Sequence, residues 1–260
     1  MRIALGVSYS GDGYEGWQSQ LSGNTVQDKL EAALGSLAAS PTRVMCAGRT
    51  DAGVHALMQV VHFDTLAKRE LSSWVRGTNA LLPANIAVQW AREVPDTFHS
   101  RASATSRRYS YVLLASPVRP SVESMRVGWV YRPLDIQAMQ MGAEHLLGEH
   151  DFTSFRAAQC QAKSPIKHIT QVTILRKGSY VRLDFEANAF LHHMIRNILG
   201  CLVVIGQGQQ PPQWMRDVIL ARNRSAAAPT FSPNGLYFLG PTYSADFGLP
   251  HRTAAYDWLP

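Results

Sequence analysis

The chain has 260 residues, 46% hydrophobic and 17% charged, enough apolar material for one large or two ordinary packed domains and against intrinsic disorder. It contains no apolar run long enough to cross a membrane as a helix. Lys plus Arg number 25 against 19 Asp plus Glu, a formal charge of +6, so a polyanionic partner such as nucleic acid is expected.

The N-terminal MRIALGVSYS reads as a strand over residues 2–9, with Ile3, Leu5, Val7 and Tyr9 alternating, and not as a signal peptide. A glycine-rich turn follows. Thr25 can then cap a helix, with Asp28 three residues on as in a capping box, and Val26, Leu30, Ala33, Leu34 and Leu37 on one face. Residues 42–47 and 58–64 read as strands. Leu71, Trp74, Val75, Thr78 and Leu82 mark a helix stopped by Pro83, and residues 86–94 a further strand. The order is β-α-β-β-α-β.

The second half repeats it. RRYSYVLLA, residues 107–115, is a strand. Asp135 caps a helix carrying Ile136, Met139, Ala143, Leu146 and Leu147 and ended by Gly148. Residues 169–175 and 180–187 form a hairpin around Lys177-Gly178-Ser179. A helix runs from about Ala189 to Ile205, another starts at Pro212, and GLYFLG continues to Tyr243 as the last strand. The expected fold is α+β: two ferredoxin-like halves, residues 1–103 and 104–260, whose strands make a mixed, mainly antiparallel sheet with a central cleft.

Three kinds of chemistry find little support. Gly11 to Gly16 satisfies G-x-G-x-x-G after a strand, but the helix waits until Thr25, so no helix N-terminus opens toward a pyrophosphate. His55, His62, His192 and His193 have no zinc-type spacing, and His192 and His193, adjacent on the expected helix and about 100° apart, would not share an ion. No G-x-S-x-G occurs. The three cysteines, Cys46, Cys160 and Cys201, lie far apart with no CxxC, which fits reduced cytoplasm, and Cys46 reads as an inert thiol in an apolar strand.

The unusual stretch is GRTDAGVHA, Gly48 to Ala56, a loop between two strands. Asp51 before Ala-Gly is a common turn residue that bonds its own backbone. A catalytic carboxylate is the other reading. Arg49 lies two residues away, the glycines permit close approach to a ligand, and Arg196 sits in the largely apolar AFLHHMIRNILGCLVVIG, where a guanidinium usually answers a buried anion.

GRTDAGVHA, with VSYSGDGYEGWQ, FHSRASATSRRYSYV, DFTSF, ANAFLHHMIRNILG and GLYF in register from about residue 3 to residue 243, resembles the TruA-type tRNA pseudouridine synthases. The tail HRTAAYDWLP adds little to that resemblance. The resemblance implies an isomerase that converts uridine to pseudouridine at positions 38, 39 and 40 of the tRNA anticodon stem-loop. It implies no cofactor and no metal. It implies a homodimer with tRNA across both subunits, in the cytoplasm that the cysteine usage fits. Carried over residue by residue, it makes Asp51 the catalytic aspartate, Arg49 the residue that helps open the target base from its stem, Tyr109 the active-site tyrosine and Arg196 the basic partner of the aspartate.

These residue types suit such a reaction. An ionised carboxylate can attack C1′ of the ribose or C6 of the ring, or act as a base at the sugar. In a water-poor cleft desolvation raises its pKa, and a guanidinium restores the charged form. Tyr109 offers a flat face and a hydroxyl to an extruded base. Tyr109, Arg49, Arg107, Arg108 and Lys163 are the expected substrate-binding residues, RNA shape doing most of the selection. The rival reading is a non-catalytic RNA-binding module that uses the same basic surface and treats Asp51 as turn chemistry.

Overall fold

The computed structural model describes residues 1–250. HRTAAYDWLP, residues 251–260, lies outside the described residues. By their internal contacts the described residues form two compact units, the first being Met1–Ser106 with residues 237–250, the second Arg107–Leu236.

The first unit contains β1 (Arg2–Tyr9), α1 (Val26–Ala38), β2 (Met45–Cys46), β3 (His55–Asp64), α2 (Leu71–Leu81) and β4 (Ile86–Val94). β1 pairs antiparallel with both β3 and β4, and β2 pairs antiparallel with β3. The spatial order β4-β1-β3-β2 is that of the split βαβ of ferredoxin-like folds. α1 starts where the sequence places it. The Thr25 hydroxyl oxygen accepts the Asp28 N–H at 3.2 Å and donates to the Asp28 carboxylate at 2.5 Å. The sheet is buried on both faces. Ile3, Leu5, Val61 and Phe63 lie on one side, with Trp74 of α2 edge-on to Phe63 at 5.2 Å. Ala4, Met58, Val60, Phe98 and Tyr243 form a second cluster on the other.

The strand expected over 42–47 shrinks to two residues because a side chain takes its partner's place. The Val44 N–H donates to the Glu31 carboxylate of α1 at 2.9 Å rather than to a neighbouring strand. β10 (Leu236–Thr242) pairs parallel with β3 through Tyr237 and Phe238. Residues 237–250 therefore belong to the first unit, and that unit extends to Ser106, whereas the sequence pattern divides the chain at 103 and keeps these residues in the second half.

The second unit contains β5 (Ser106–Ala115), β6 (Gly128–Val130), α3 (Ile136–Glu144), β7 (Gly148–Asp151), β8 (Ile166–Lys177), β9 (Tyr180–Ala187), α4 (Met194–Gly206) and α5 (Trp214–Ala221). β9 lies antiparallel between β5 and β8, β7 pairs antiparallel with β8, and β6 pairs parallel with β5. Each unit is thus α+β and mainly antiparallel. Asp135 caps α3 by accepting the Ala138 N–H at 3.0 Å, as its sequence predicts. α3 ends at Glu144, earlier than expected; Gly148, at φ +92°, opens β7 instead of closing the helix. The hairpin turns at Gly178, whose φ is +60°. β6 and β7, three and four residues long, have too little alternation to stand out in the sequence.

α4 corrects the sequence reading most. It starts at Met194, not Ala189, because His193 holds a left-handed φ of 62° that no helix interior accepts. His192 and His193 therefore precede the helix, and their rings lie 4.0 Å apart instead of splaying around a helix. The helix is buried nearly all round. A Cβ on Gly200 would collide with the Pro229 carbonyl, which shows how closely the segment before β10 packs on it.

Candidate active site

GRTDAGVHA leads into β3, and its last residues, His55 and Ala56, already belong to that strand. Asp51 begins a tight turn. The Val54 N–H donates to the Asp51 carbonyl at 3.1 Å, and Gly53 holds φ +79°, as the third position of a type II turn requires. The turn is closed by backbone, so its geometry does not depend on the carboxylate. Asp51 is half-buried and Arg49 is exposed.

The glycine-rich turn after β1, which looked like a dinucleotide motif, braces this loop. A Cβ on Gly16 would sit 2.8 Å from the Thr50 carbonyl oxygen and 3.1 Å from the Ala52 nitrogen, and Gly16 holds φ +92°. A Cβ on Gly11 would collide with the Val54 backbone. Between these contacts the Trp17 N–H donates to the Thr50 carbonyl at 3.0 Å. The carbonyls of Gly16 and Trp17 accept the N–H groups of Val26 and Gln27 at 3.2 and 3.1 Å, which satisfies donors that the first turn of α1 leaves open. One segment therefore ties the helix start to the Asp51 loop.

Side chains complete the support. The hydroxyls of Tyr9 and Thr50 hydrogen-bond at 2.8 Å, and burial pushes the Tyr9 phenol well above its ordinary range despite that bond. The Gln59 amide donates to the Gly48 carbonyl at 2.6 Å. His55 is 4% exposed, accepts the Gly11 N–H on Nδ1 at 3.1 Å and stacks on Tyr237 at 4.8 Å. An acceptor at Nδ1 means a neutral ring carrying its proton on Nε2. Burial raises the Cys46 thiol to about 11, against the lowering fields of Arg49 and Arg101, in keeping with an inert cysteine.

The other expected residues belong to the second unit. Tyr109 and Arg107-Arg108 lie on β5. Tyr109 is 9% exposed and meets the Phe190 ring edge-on at 5.2 Å. The Arg107 guanidinium donates to the Asn188 carbonyl at 2.9 Å, while the buried Nε of Arg108 has no hydrogen-bond partner. Lys163 is exposed in the loop before β8. Arg196 stands in the first turn of α4, half-buried, its Nε donating to the Phe231 carbonyl at 2.9 Å, while its own carbonyl accepts the Phe231 N–H at 3.1 Å. Arg224 is a structural cation. It donates to the Ala228 carbonyl at 2.9 Å, to Asn197 at 3.1 Å and to Thr230 at 3.1 Å, and so fastens the segment before β10 to α4.

The structure keeps Arg49 with Asp51 on one loop and Tyr109 with Arg107 and Arg108 on one strand. It adds supports that sequence reasoning missed: Tyr9, Gly11, Gly16, Trp17, His55 and Gln59. The sequence placed most of them inside the motifs VSYSGDGYEGWQ and GRTDAGVHA, but gave no sign of what they pack against.

The loop thus sets a half-buried carboxylate on a backbone-closed turn in a basic α+β chain, and comparison with known proteins gives the class of the chain. The model of a family described as tRNA pseudouridine synthase matches residues 6–101 and 143–244. Over the full length of both chains, the sequence is 71% identical to a tRNA pseudouridine synthase A from Polaromonas sp. (strain JS666 / ATCC BAA-500) and 72% identical to one from Polaromonas naphthalenivorans (strain CJ2). A tRNA pseudouridine synthase A from Albidiferax ferrireducens is 64% identical, again over the whole of both chains. The chain belongs to the tRNA pseudouridine synthase family. It is an isomerase, converting uridine to pseudouridine in tRNA.

Proposed function

We propose that Asp51 carries the isomerisation, and that the uridines converted are those at positions 38, 39 and 40 of the anticodon stem-loop. The observation that supports Asp51 is its setting: a half-buried carboxylate on a backbone-closed turn, braced by two glycines whose Cβ positions are already occupied by that loop. Such bracing fixes a reacting group against the movements that cost an enzyme its alignment. The three positions rest on the resemblance of the motifs.

The reaction breaks the N1–C1′ bond, rotates the uracil and forms a C5–C1′ bond. C5 loses its hydrogen and N1 gains one, so product and substrate are isomers. Asp51 starts the detachment. The resemblance supports Arg196 as the charge that keeps Asp51 ionised and Tyr109 as the group beside the extruded base, and neither needs a cofactor. A target in a paired stem must first be flipped out, at a cost of a few kcal/mol, and Arg49 on the same loop as Asp51 assists that opening. Arg107, Arg108 and Lys163 then contribute to phosphate binding. Affinity for tRNA is expected to fall with salt by a log–log slope of roughly 0.7–0.9 per neutralised phosphate. No helix among the described residues is long and apolar enough to cross a membrane. We place the enzyme in the cytoplasm as a homodimer, a state that sedimentation tests.

The deciding experiment is tritium release from tRNA labelled with [5-³H]uridine. The wild-type chain is expected to release tritium with no added cofactor and in the presence of chelator. Asp51→Ala is expected to bind tRNA and release none. Turnover in Asp51→Ala would remove Asp51 from the chemistry. Sequencing the pseudouridines formed locates the positions, and modification confined to another arm would overturn that assignment.

A further inference from the structure

The second unit carries an exposed aromatic pair that the catalytic reading leaves unused. In β6, Gly128 and Val130 face inward, and Trp129 faces out at 39% exposed. Tyr131, two residues on and 57% exposed, continues the same face. The two ring centroids are 6.4 Å apart. The Arg132 guanidinium lies 5.3 Å from the centre of the Tyr131 ring, a cation–π contact.

The pair is held rather than loose. The Trp129 indole N–H donates to the Ser116 carbonyl at 2.8 Å, and the Ser116 N–H donates to the Val130 carbonyl at 3.0 Å. A Cβ on Gly128 would collide with the Tyr111 side chain, so β6 lies tight against its neighbour β5. Glu123, the one acid between residues 116 and 133, accepts the Tyr180 hydroxyl at 2.8 Å. Arg119 and Arg126, both exposed, belong to the same stretch.

Charge decides what the surface fits. Three arginines against one acid would repel a second copy of the same face, because a two-fold contact brings a patch against itself. A polyanion with flat groups meets both features. Unpaired nucleotides stack on aromatic faces while arginines take their phosphates. Trp129 pairs alongside Leu114, five residues along β5 from Tyr109, or roughly 17 Å at strand spacing. The surface therefore lies apart from the Tyr109 end of the strand.

We propose that Trp129, Tyr131 and Arg132, with Arg119, form a stacking platform for unpaired nucleotides of the tRNA substrate, separate from the nucleotide that reacts. The proposal rests on the reading of the chain as a tRNA-modifying enzyme. Its test compares the full-length wild type with Trp129→Ala/Tyr131→Ala in binding unmodified tRNA and an isolated anticodon stem-loop hairpin, with tritium release measured at saturating RNA. The double variant is expected to bind whole tRNA about tenfold to a hundredfold more weakly and to keep its maximal rate. Equal loss on the hairpin places the stacked nucleotides in the anticodon arm; loss on whole tRNA alone places them outside it. Trp129→Phe/Tyr131→Phe is expected to restore binding. Arg119→Glu, a surface change, is expected to weaken binding without touching the fold, and so tests the platform even where the double alanine variant folds poorly. Wild-type affinity in both the double alanine and Arg119→Glu variants overturns the proposal. So does a shift to monomer with hairpin and tRNA affinity intact, which would assign the face to a second copy. Because maximal tritium release is read separately, failure of the platform and failure of the isomerase reading give different results.

Discussion

Gly16 and Thr50 are so close that a Cβ on the glycine would stand 2.8 Å from the Thr50 carbonyl oxygen, and Gly16 also holds a φ of +92°. Gly13, in the same glycine-rich turn, holds φ +79° but has no atom within 4 Å of its Cβ position. The two positions separate backbone strain from crowding of the Asp51 loop. Gly13→Ala should cost about 1 kcal/mol through strain alone and leave turnover near wild type. Gly16→Ala should cost about 2–3 kcal/mol and lower turnover by roughly a hundredfold, since the loop must move to admit the methyl group. Denaturant midpoints and tritium release on the two variants check this. Wild-type turnover in Gly16→Ala would mean that Asp51 tolerates displacement of its support.

Arg49 gives a different signature because it is exposed on the loop that carries Asp51. Arg49→Ala should leave stability within about 0.5 kcal/mol of wild type while slowing turnover. If its role is to assist base opening, the defect should shrink on a tRNA whose target uridine is mispaired, because such a base costs less to extrude. A defect of equal size on paired and mispaired substrates would move Arg49 from opening to the chemical step. A lowered melting temperature would make it structural.

The elements that were legible in the sequence are those with a long period and an explicit stop. α1 had its Thr25–Asp28 cap, α2 its Pro83, and β4 a β-rich run from Ile86 to Val94 bounded by Pro83 and Pro95, although its alternation breaks at a bulge after Val88. The misses share a cause in tertiary contacts invisible to local pattern. Glu31 captures the Val44 N–H and cuts β2 short, and His193 turns left-handed and delays α4. The candidate site was legible in one part only. Asp51 and Arg49 stood in a motif, Arg196 stood out as a guanidinium in a largely apolar segment, and motif resemblance supplied Tyr109. The bracing by Gly11, Gly16 and His55 depends on distant backbone meeting at one loop, and a spacing of glycines does not say what they pack against.

His62 supplies a pH dependence of stability. Burial first, then the neighbouring His99 and Arg2, lower its pKa to about 4 from 6.5, with Asp64 opposing. The His99 ring is 4.8 Å away, and Nδ1 of His62 accepts the Ser100 N–H at 3.2 Å, a bond that needs the neutral ring. The unfolded chain binds a proton near 6.5 that the folded chain refuses until about 4, so stability rises with pH across that window and is lost as pH falls through it. Urea midpoints measured between pH 4.5 and pH 7.5 should therefore climb, most steeply midway between the two pKa values, and level off above the ordinary histidine pKa. His62→Gln should flatten the climb. An unchanged slope in that variant would assign the dependence to other groups.

Asn197 tests whether the placement of Arg196 depends on the segment before β10. Asn197 is fully buried. Its amide donates to the Phe155 carbonyl at 2.8 Å, and its carbonyl oxygen accepts from Arg224 at 3.1 Å and from Thr230 at 2.7 Å. Asn197→Leu keeps the volume and removes all three bonds, leaving a guanidinium and a hydroxyl short of an acceptor. The expected cost is about 3 kcal/mol. The same segment continues to Phe231, whose carbonyl accepts the Arg196 Nε at 2.9 Å. Loosening it should release the Arg196 guanidinium, so turnover should fall well below wild type at temperatures where the variant is still folded, with tRNA affinity little changed. A folded Asn197→Leu chain with wild-type turnover would show that α4 alone holds Arg196 in place.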